Sequence, residues 1–361
     1  MGFFAIAGLI LWLMQVGIGG WFYYSFPALG WKMPVLFLPV LLTLLMQLTL
    51  AYTRTHYGLW ESIAYYAAYT WAGLVFIFFF LILGFALVQA LCMLFHWQVR
   101  PIITQGSMLV LLAVTLWAVI GAAKTPKIKH LNISLAHAPE MKIAVISDAH
   151  LGVGVSVKRF QKALQKIAQE KPDAVFVLGD LFEYGPDREQ YAQALANLKT
   201  TYGTFGVLGN HEYYVGLDNS LDFYQKAGIY LLDNKTYLLP NAVELIGLKD
   251  VLTARVKEAD LEALLQNTAP DRARILLSHQ PLLTQVAAKH QIPLMLSGHT
   301  HNGQIFPFNF FVKLRYKYVY GWYDIAEKSK LYVTSGMFYW GMPLRFLTSS
   351  EIPLLHINNH D

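Results

Sequence analysis

The chain has 361 residues and a formal net charge of +5, with 55% hydrophobic against 14% charged residues, a balance too apolar for an ordinary soluble protein. Neither Lys nor Arg forms a block of the kind that tracks a nucleic-acid backbone, so no nucleic-acid partner is expected. The single cysteine, Cys92, excludes an intrachain disulfide framework.

Charge is unevenly distributed: residues 1–123 hold only Lys32, Arg54, Glu61 and Arg100, whereas residues 124–361 hold 25 Lys plus Arg and 22 Asp plus Glu. The charge-free stretches 1–31, 33–53, 62–99 and 101–123 each reach the roughly 20 residues that a helix needs to cross a bilayer. They are apolar all round rather than striped, unlike surface helices of a soluble core. The pattern predicts an all-α transmembrane domain over 1–125 with about four spans, near 3–25, 34–52, 69–92 and 104–122, followed by a polar domain over 126–361. Rings such as Trp31, Trp60 and Trp97 fall near span ends, as headgroup anchors do. No ionisable Asp, Glu, Lys or Arg lies inside a span, which argues against a proton relay or ion pathway. Counting Lys and Arg in the connecting segments places both termini on the cytoplasmic side of an inner or plasma membrane.

Beyond 126, short apolar runs alternate with amphipathic ones. An edge strand is expected at 127–135 and a buried strand at 142–147, then a helix at 156–170 with Ser156 as its N-cap. Strands at 174–178 and 203–208 alternate with helices at 187–199 and 218–227. The runs 230–232 and 235–247 read as strands or a hairpin about Asp233-Asn234, followed by a helix at 256–266. A strand at 274–277, a helix at 282–290, and strands at 294–296, 330–335 and 352–357 complete the series. Such alternation indicates an α/β protein; periodicity alone suggests a doubly wound sheet, with its ligands beyond the carboxyl ends of the strands.

Five of the runs end in residues that bind metals: Asp148-Ala149-His150, Gly179-Asp180, Gly209-Asn210-His211, Ser278-His279 and Ser297-Gly298-His299-Thr300-His301. Singly, each has a plainer explanation, since Asp148 could cap a helix, His279 could be a satisfied core residue and a lone His-x-His is more often a turn. Together they deliver ligands to one place. Imidazoles, carboxylates and an amide suit a transition-metal or mixed divalent centre better than Ca²⁺, and the lack of thiolates argues against structural zinc. Seven candidates (Asp148, His150, Asp180, Asn210, His279, His299 and His301) are too many for one ion with an open position. They fit two ions that share a carboxylate, as in many phosphatases and nucleases. Gly152 and Gly154 make a flexible turn rather than a P-loop, since no Gly-Lys-Ser/Thr follows.

In order and combination, Asp148-x-His150, Gly179-Asp180, Gly209-Asn210-His211-Glu212, His279 and Gly298-His299-Thr300-His301 resemble the motif series of the calcineurin-like metallophosphoesterases over about 140–357. The resemblance implies a four-layer β-sandwich flanked by helices, and two divalent ions drawn from Mn, Fe, Zn or Mg, with Mn favoured. Asp148, His150 and His301 would bind one ion, Asn210, His279 and His299 the other, and Asp180 would bridge them. His211 would be catalytic, contacting the phosphate and assisting the leaving group. Asp250 stands at a comparable place in the family but reads equally as a turn residue. Asn302 stands where many relatives have glycine, which is expected to affect loop geometry more than metal binding.

The closing stretch Ser335-Gly336-Met337-Phe338-Tyr339-Trp340-Gly341-Met342-Pro343-Leu344-Arg345 resembles members attached to membranes that act near lipid. Arg345 reads as a ligand of the substrate phosphate or as half of a structural ion pair. The aromatic and basic stretch 306–323 either rests on the bilayer interface or packs on the sheet. The expected function is a membrane-bound phosphoesterase acting on a phosphodiester or pyrophosphate bond of an amphiphilic substrate, such as UDP-2,3-diacylglucosamine, with the lipid bilayer as partner. A broad-specificity phosphodiesterase and a non-catalytic membrane scaffold are the alternatives. Oligomeric state is not legible.

Overall fold

The computed structural model describes residues 2–26, 34–53, 55–97 and 100–358. Trp31, Lys32 and Arg54, which enter the arguments on ring anchoring and orientation, lie outside the described residues. The chain divides into a helical unit, Met1–Ala123 with Ile305–Pro307 and Gly341–Leu347, and an α/β unit made of Lys124–Gln304, Phe308–Trp340 and Thr348–Asp361.

The helical unit contains α1 (Gly2–Ser25), α2 (Pro34–Tyr52), α3 (Leu59–Leu94) and α4 (Arg100–Ala123). Among the described residues, Ala5–Ser25, Leu59–Leu94 and Ile102–Ala123 are long and apolar enough to cross a membrane, while the described apolar stretch of α2, Phe37–Tyr52, is shorter. Helix α3 starts at Leu59 rather than near 69, because Glu61 falls in its first turn, where the helix dipole favours a carboxylate. At about 1.5 Å per residue it is roughly 54 Å long, more than the ~30 Å hydrocarbon layer. Leu9, Leu13, Leu48, Leu87 and Leu112 face outward, the pattern of helices that meet lipid. Inside, Gln15 Nε2 donates to Thr43 Oγ1 at 2.7 Å, so this buried polar contact is neutral. Ile77 and Ala118 bury against Ile305, Leu344 and Phe346, which binds the two late segments to the spans. The close approach requires Gly121, where a Cβ would lie 2.7 Å from the Arg345 carbonyl oxygen.

In the α/β unit the first sheet contains β1 (Lys127–Ser134), β2 (Met141–Ile146), β3 (Ala174–Val177), β4 (Thr204–Gly206), β5 (Ile229–Leu231) and β12 (Glu351–Asn358), in the order β1-β12-β2-β3-β4-β5. The second contains β6 (Lys235–Leu238), β7 (Glu244–Gly247), β8 (Arg274–Leu277), β9 (Leu294–Ser297), β10 (Gly321–Ala326) and β11 (Ser329–Val333), in the order β10-β11-β9-β8-β7-β6. Ile143, Phe176 and Phe205 of the first sheet share one buried cluster with Leu245, Leu277 and Leu296 of the second. Phe160 of α5 (Val157–Glu170), Tyr191 of α6 (Arg188–Ala196) and Phe223 of α8 (Leu217–Lys226) pack on the other face of the first sheet. Leu261 of α9 (Glu258–Leu265) and Val286 of α10 (Thr284–Lys289) do the same for the second. A second sheet thus covers the strands where periodicity alone suggests helices, since a run buried on both faces has the same pattern under either cover.

Ser156 caps α5 as expected, its hydroxyl accepting from the Arg159 N–H at 3.3 Å, and β1 lies on a sheet edge. The Asp233-Asn234 hairpin is not formed. These residues carry the chain from β5 in one sheet to β6 in the other, and the antiparallel partner of β6 is β7. Asn234 takes φ 49° and its side chain accepts from the Lys249 N–H at 2.8 Å, which holds the crossover. The stretch 306–323 is divided: α11 (Phe308–Arg315) has no buried residue, whereas Tyr316 and Val319 are buried and Gly321–Ala326 pairs with β11.

Candidate metal centre

Strands β2, β3 and β4 run parallel, as do β8 and β9, so the residues that follow them leave their sheets at corresponding ends. After them the backbone bends through an unusual conformation: φ is 53° at Asp148, 43° at His150, 49° at Asp180, 69° at His299 and 49° at His301. Each such left-handed residue other than glycine costs about 1–3 kcal/mol and persists only where its surroundings hold it. The surroundings here are specific. Asp148 N–H donates to the Gly179 carbonyl at 3.1 Å, His150 N–H to the Asp180 carbonyl at 3.0 Å, and His299 N–H to Asp148 Oδ1 at 3.0 Å. Gly298 is needed because any side chain there would overlap Ser147 Oγ and the Asp148 carboxylate.

These bends converge the donors. Asp148, His150 and His301 form one group able to hold an ion, and Asp180, His279 and His299 form another. In the first, His150 Nε2 lies 3.0 Å from His301 Nε2, which lies 3.4 Å from Asp148 Oδ1. In the second, His279 Nε2 lies 3.2 Å from Asp180 Oδ2 and 3.1 Å from His299 Nδ1. Asp180 Oδ2 also stands 3.9 Å from His150 Nε2 and 4.0 Å from His211 Nε2, between the groups. Asn210, the first residue of α7 (Asn210–Val215), is buried with its Oδ1 unpartnered, which a cation would satisfy. Of the other candidates, Arg345 belongs to the helical unit, where it is buried and its N–H donates to the Ala118 carbonyl at 2.9 Å. Asp250 is buried and caps a turn, accepting from the Thr253 N–H at 2.8 Å. Asn302 takes φ 53°, a conformation that asparagine tolerates better than most residues.

Charge sorts these groups. Burial would raise the Asp180 carboxyl, but His279 and His211 outweigh it and hold it well below the usual range. Burial and the His279 charge push His299 down to about 3; burial would lower His279 too, but Asp180 and Asp148 lift it to about 10, so a cation bound there would displace its proton. Burial would also lower His211, but the Asp180 and Glu183 carboxylates lift it to about 9. The donor set, the orphan amide oxygen and the strained turns fit two divalent ions.

Three supporting residues carry no separable sequence signal. Glu183 Oε1 meets His150 Nδ1 at 2.7 Å and His211 Nδ1 at 2.5 Å, steering both rings. It follows Asp180 by three positions, a spacing that in an isolated sequence has no special meaning. Tyr316 places its hydroxyl 2.8 Å from His299 Nε2. Glu212, visible only as part of a motif, accepts N–H groups from the loops around the site. Because groups that orient ligands are typically worth ~10–100-fold in metal affinity or activity, Glu183→Ala should lower phosphoester hydrolysis by about that factor with folding retained. Unchanged turnover beside an unchanged melting curve would remove Glu183 from the account.

Residues 141–303 match the family model of the calcineurin-like phosphoesterases. An uncharacterised metallophosphoesterase of Campylobacter jejuni is 37% identical over 262 residues, 71% of this chain and 70% of the relative. A Helicobacter pylori metallophosphoesterase is 36% identical over 237 residues, 64% of each chain. A Danio rerio transmembrane protein with metallophosphoesterase domain is 30% identical over 265 residues, 68% of this chain and 60% of that one. On these matches the chain belongs to the calcineurin-like phosphoesterase family, whose members are metal-dependent hydrolases of phosphoester bonds.

Proposed function

We propose that this chain is a membrane-bound enzyme that hydrolyses a phosphodiester or pyrophosphate bond in an amphiphilic substrate, with UDP-2,3-diacylglucosamine as the first candidate. The observation that carries this reading is the presence in one chain of a converged Asp/His centre and, among the described residues, three apolar helices of bilayer length. Such helices keep an enzyme where lipid-linked phosphates accumulate. The reading takes 1–125 as the membrane domain, with α2 as its fourth span, and 126–361 as a four-layer catalytic domain facing the cytoplasm.

Asp148, His150 and His301 would hold one ion and Asn210, His279 and His299 the other, with Asp180 shared. Divalent ions bound there, Mn²⁺ being favoured, supply charge stabilisation at the phosphoryl oxygens and activation of water. His211, held by Glu183 at 2.5 Å and raised by its carboxylate neighbours, is suited to donate a proton to the departing oxygen.

Detergent-purified protein with Mn²⁺ should release UMP from UDP-2,3-diacylglucosamine. Hydrolysis of bis(p-nitrophenyl) phosphate with no UMP release would favour a broad-specificity phosphodiesterase instead. EDTA should abolish turnover and Mn²⁺ restore it. Since a ligand at 100 times its dissociation constant stabilises a fold by about 2.7 kcal/mol, EDTA should also lower the melting temperature by several degrees. Turnover indifferent to EDTA would contradict the metal assignment.

A further inference from the structure

We infer that Trp340 and Tyr214 form a stacking subsite beside His211 for a planar ring carried by the substrate, a nucleobase being the class that fits. The inference rests on the proposed reading of His211 as the residue that meets the phosphate. The Tyr214 ring centroid lies 5.2 Å from that of His211 with the planes at 63°. The Trp340 centroid lies 5.8 Å away with the planes at 74°. Neither ring lies flat on the imidazole, and neither is buried: Tyr214 is 61% and Trp340 40% exposed. Large aromatics held open to water beside a candidate catalytic residue are poised for a partner with an apolar face.

Both rings are anchored through their backbones. The Gln304 side chain grips Trp340 twice, accepting its N–H at 2.8 Å and donating to its carbonyl at 3.1 Å. Gln304 follows the one-turn 3₁₀ helix His301–Gly303, so the Trp340 backbone is tied to the turn that carries a candidate metal ligand. Tyr214 is fixed by its carbonyl, which accepts the Tyr184 hydroxyl at 2.6 Å. With the backbones held, only two side-chain torsions per ring are left to lose on binding, which favours stacking. The ring they would take belongs to a group attached to the phosphate at His211, and a nucleotide places its base about a sugar's length from its phosphate.

The test is calorimetric titration of AMP and of ribose 5-phosphate, which differ by the base alone, into the full-length Mn²⁺-loaded protein. Wild type should bind AMP more tightly by on the order of 10-fold or more, the range expected of one base on an aromatic platform. Trp340→Ala and Tyr214→Ala should each lose most of that preference while binding ribose 5-phosphate as wild type does, and Trp340→Phe should keep most of it. Melting curves and metal content of the variants separate lost stacking from lost folding. Equal affinities in wild type, no binding of either compound, or a preference intact in both alanine variants would overturn the subsite. Failure of bis(p-nitrophenyl) phosphate hydrolysis with the AMP preference present would instead count against the hydrolytic reading.

Discussion

Asp180→Ala should reduce phosphoester hydrolysis by more than the ~10–100-fold typical of residues that only support metal ligands, and should deplete both metal positions together. Asp180 Oδ2 stands 3.2 Å from His279 Nε2 and 3.9 Å from His150 Nε2, so one carboxylate serves both ligand groups. Its other oxygen accepts the His211 N–H at 2.9 Å, which fixes the start of α7. Its carboxyl is held well below the usual range by His279 and His211 against the opposing effect of burial, so the substitution leaves buried imidazoles without their counter-charge. Asp180→Asn, which keeps shape and removes charge, should be nearly as damaging if charge is what matters. Turnover within tenfold of wild type in the alanine variant would show that Asp180 is not shared between two ions.

Glu212→Ala should lower stability by at least about 3 kcal/mol, since each buried N–H left without its acceptor costs about 1–3 kcal/mol, and the melting temperature by roughly 10 °C. Glu212 is fully buried. It accepts from Gly209 N–H at 2.7 Å, Asp180 N–H at 2.9 Å, Leu181 N–H at 2.7 Å and Phe182 N–H at 3.4 Å. One carboxylate therefore fixes both the loop carrying Asp180 and the turn carrying Asn210 and His211, and alanine would strand four buried donors. Glu212→Gln retains an acceptor oxygen and should cost less. A melting temperature within about 2 °C of wild type in the alanine variant would show that water or relaxation satisfies those donors, contrary to the usual cost of leaving them unmade.

The convergence of the candidate ligands was legible because each follows a short apolar run, and the parallel strands deliver those runs' ends together. Membrane helices were legible because lipid demands length and uniform apolarity, though not their limits: α3 extends back to Leu59 because Glu61 suits its first turn. The second sheet was not legible from periodicity, since burial on both faces erases the alternation that distinguishes one cover from the other. Glu183 was illegible as a contributor, and Glu212 legible only as a motif member, for another reason. Their partners are backbone amides and rings brought close only by folding, and nothing in local composition marks a carboxylate as buried.

Two metal positions built from the ends of strands in both sheets are tested most directly by metal content. Wild-type protein equilibrated with Mn²⁺ and desalted should retain two ions per chain, His299→Ala and His301→Ala one each. Retention of two ions by both variants, or of none by wild type, would contradict that arrangement.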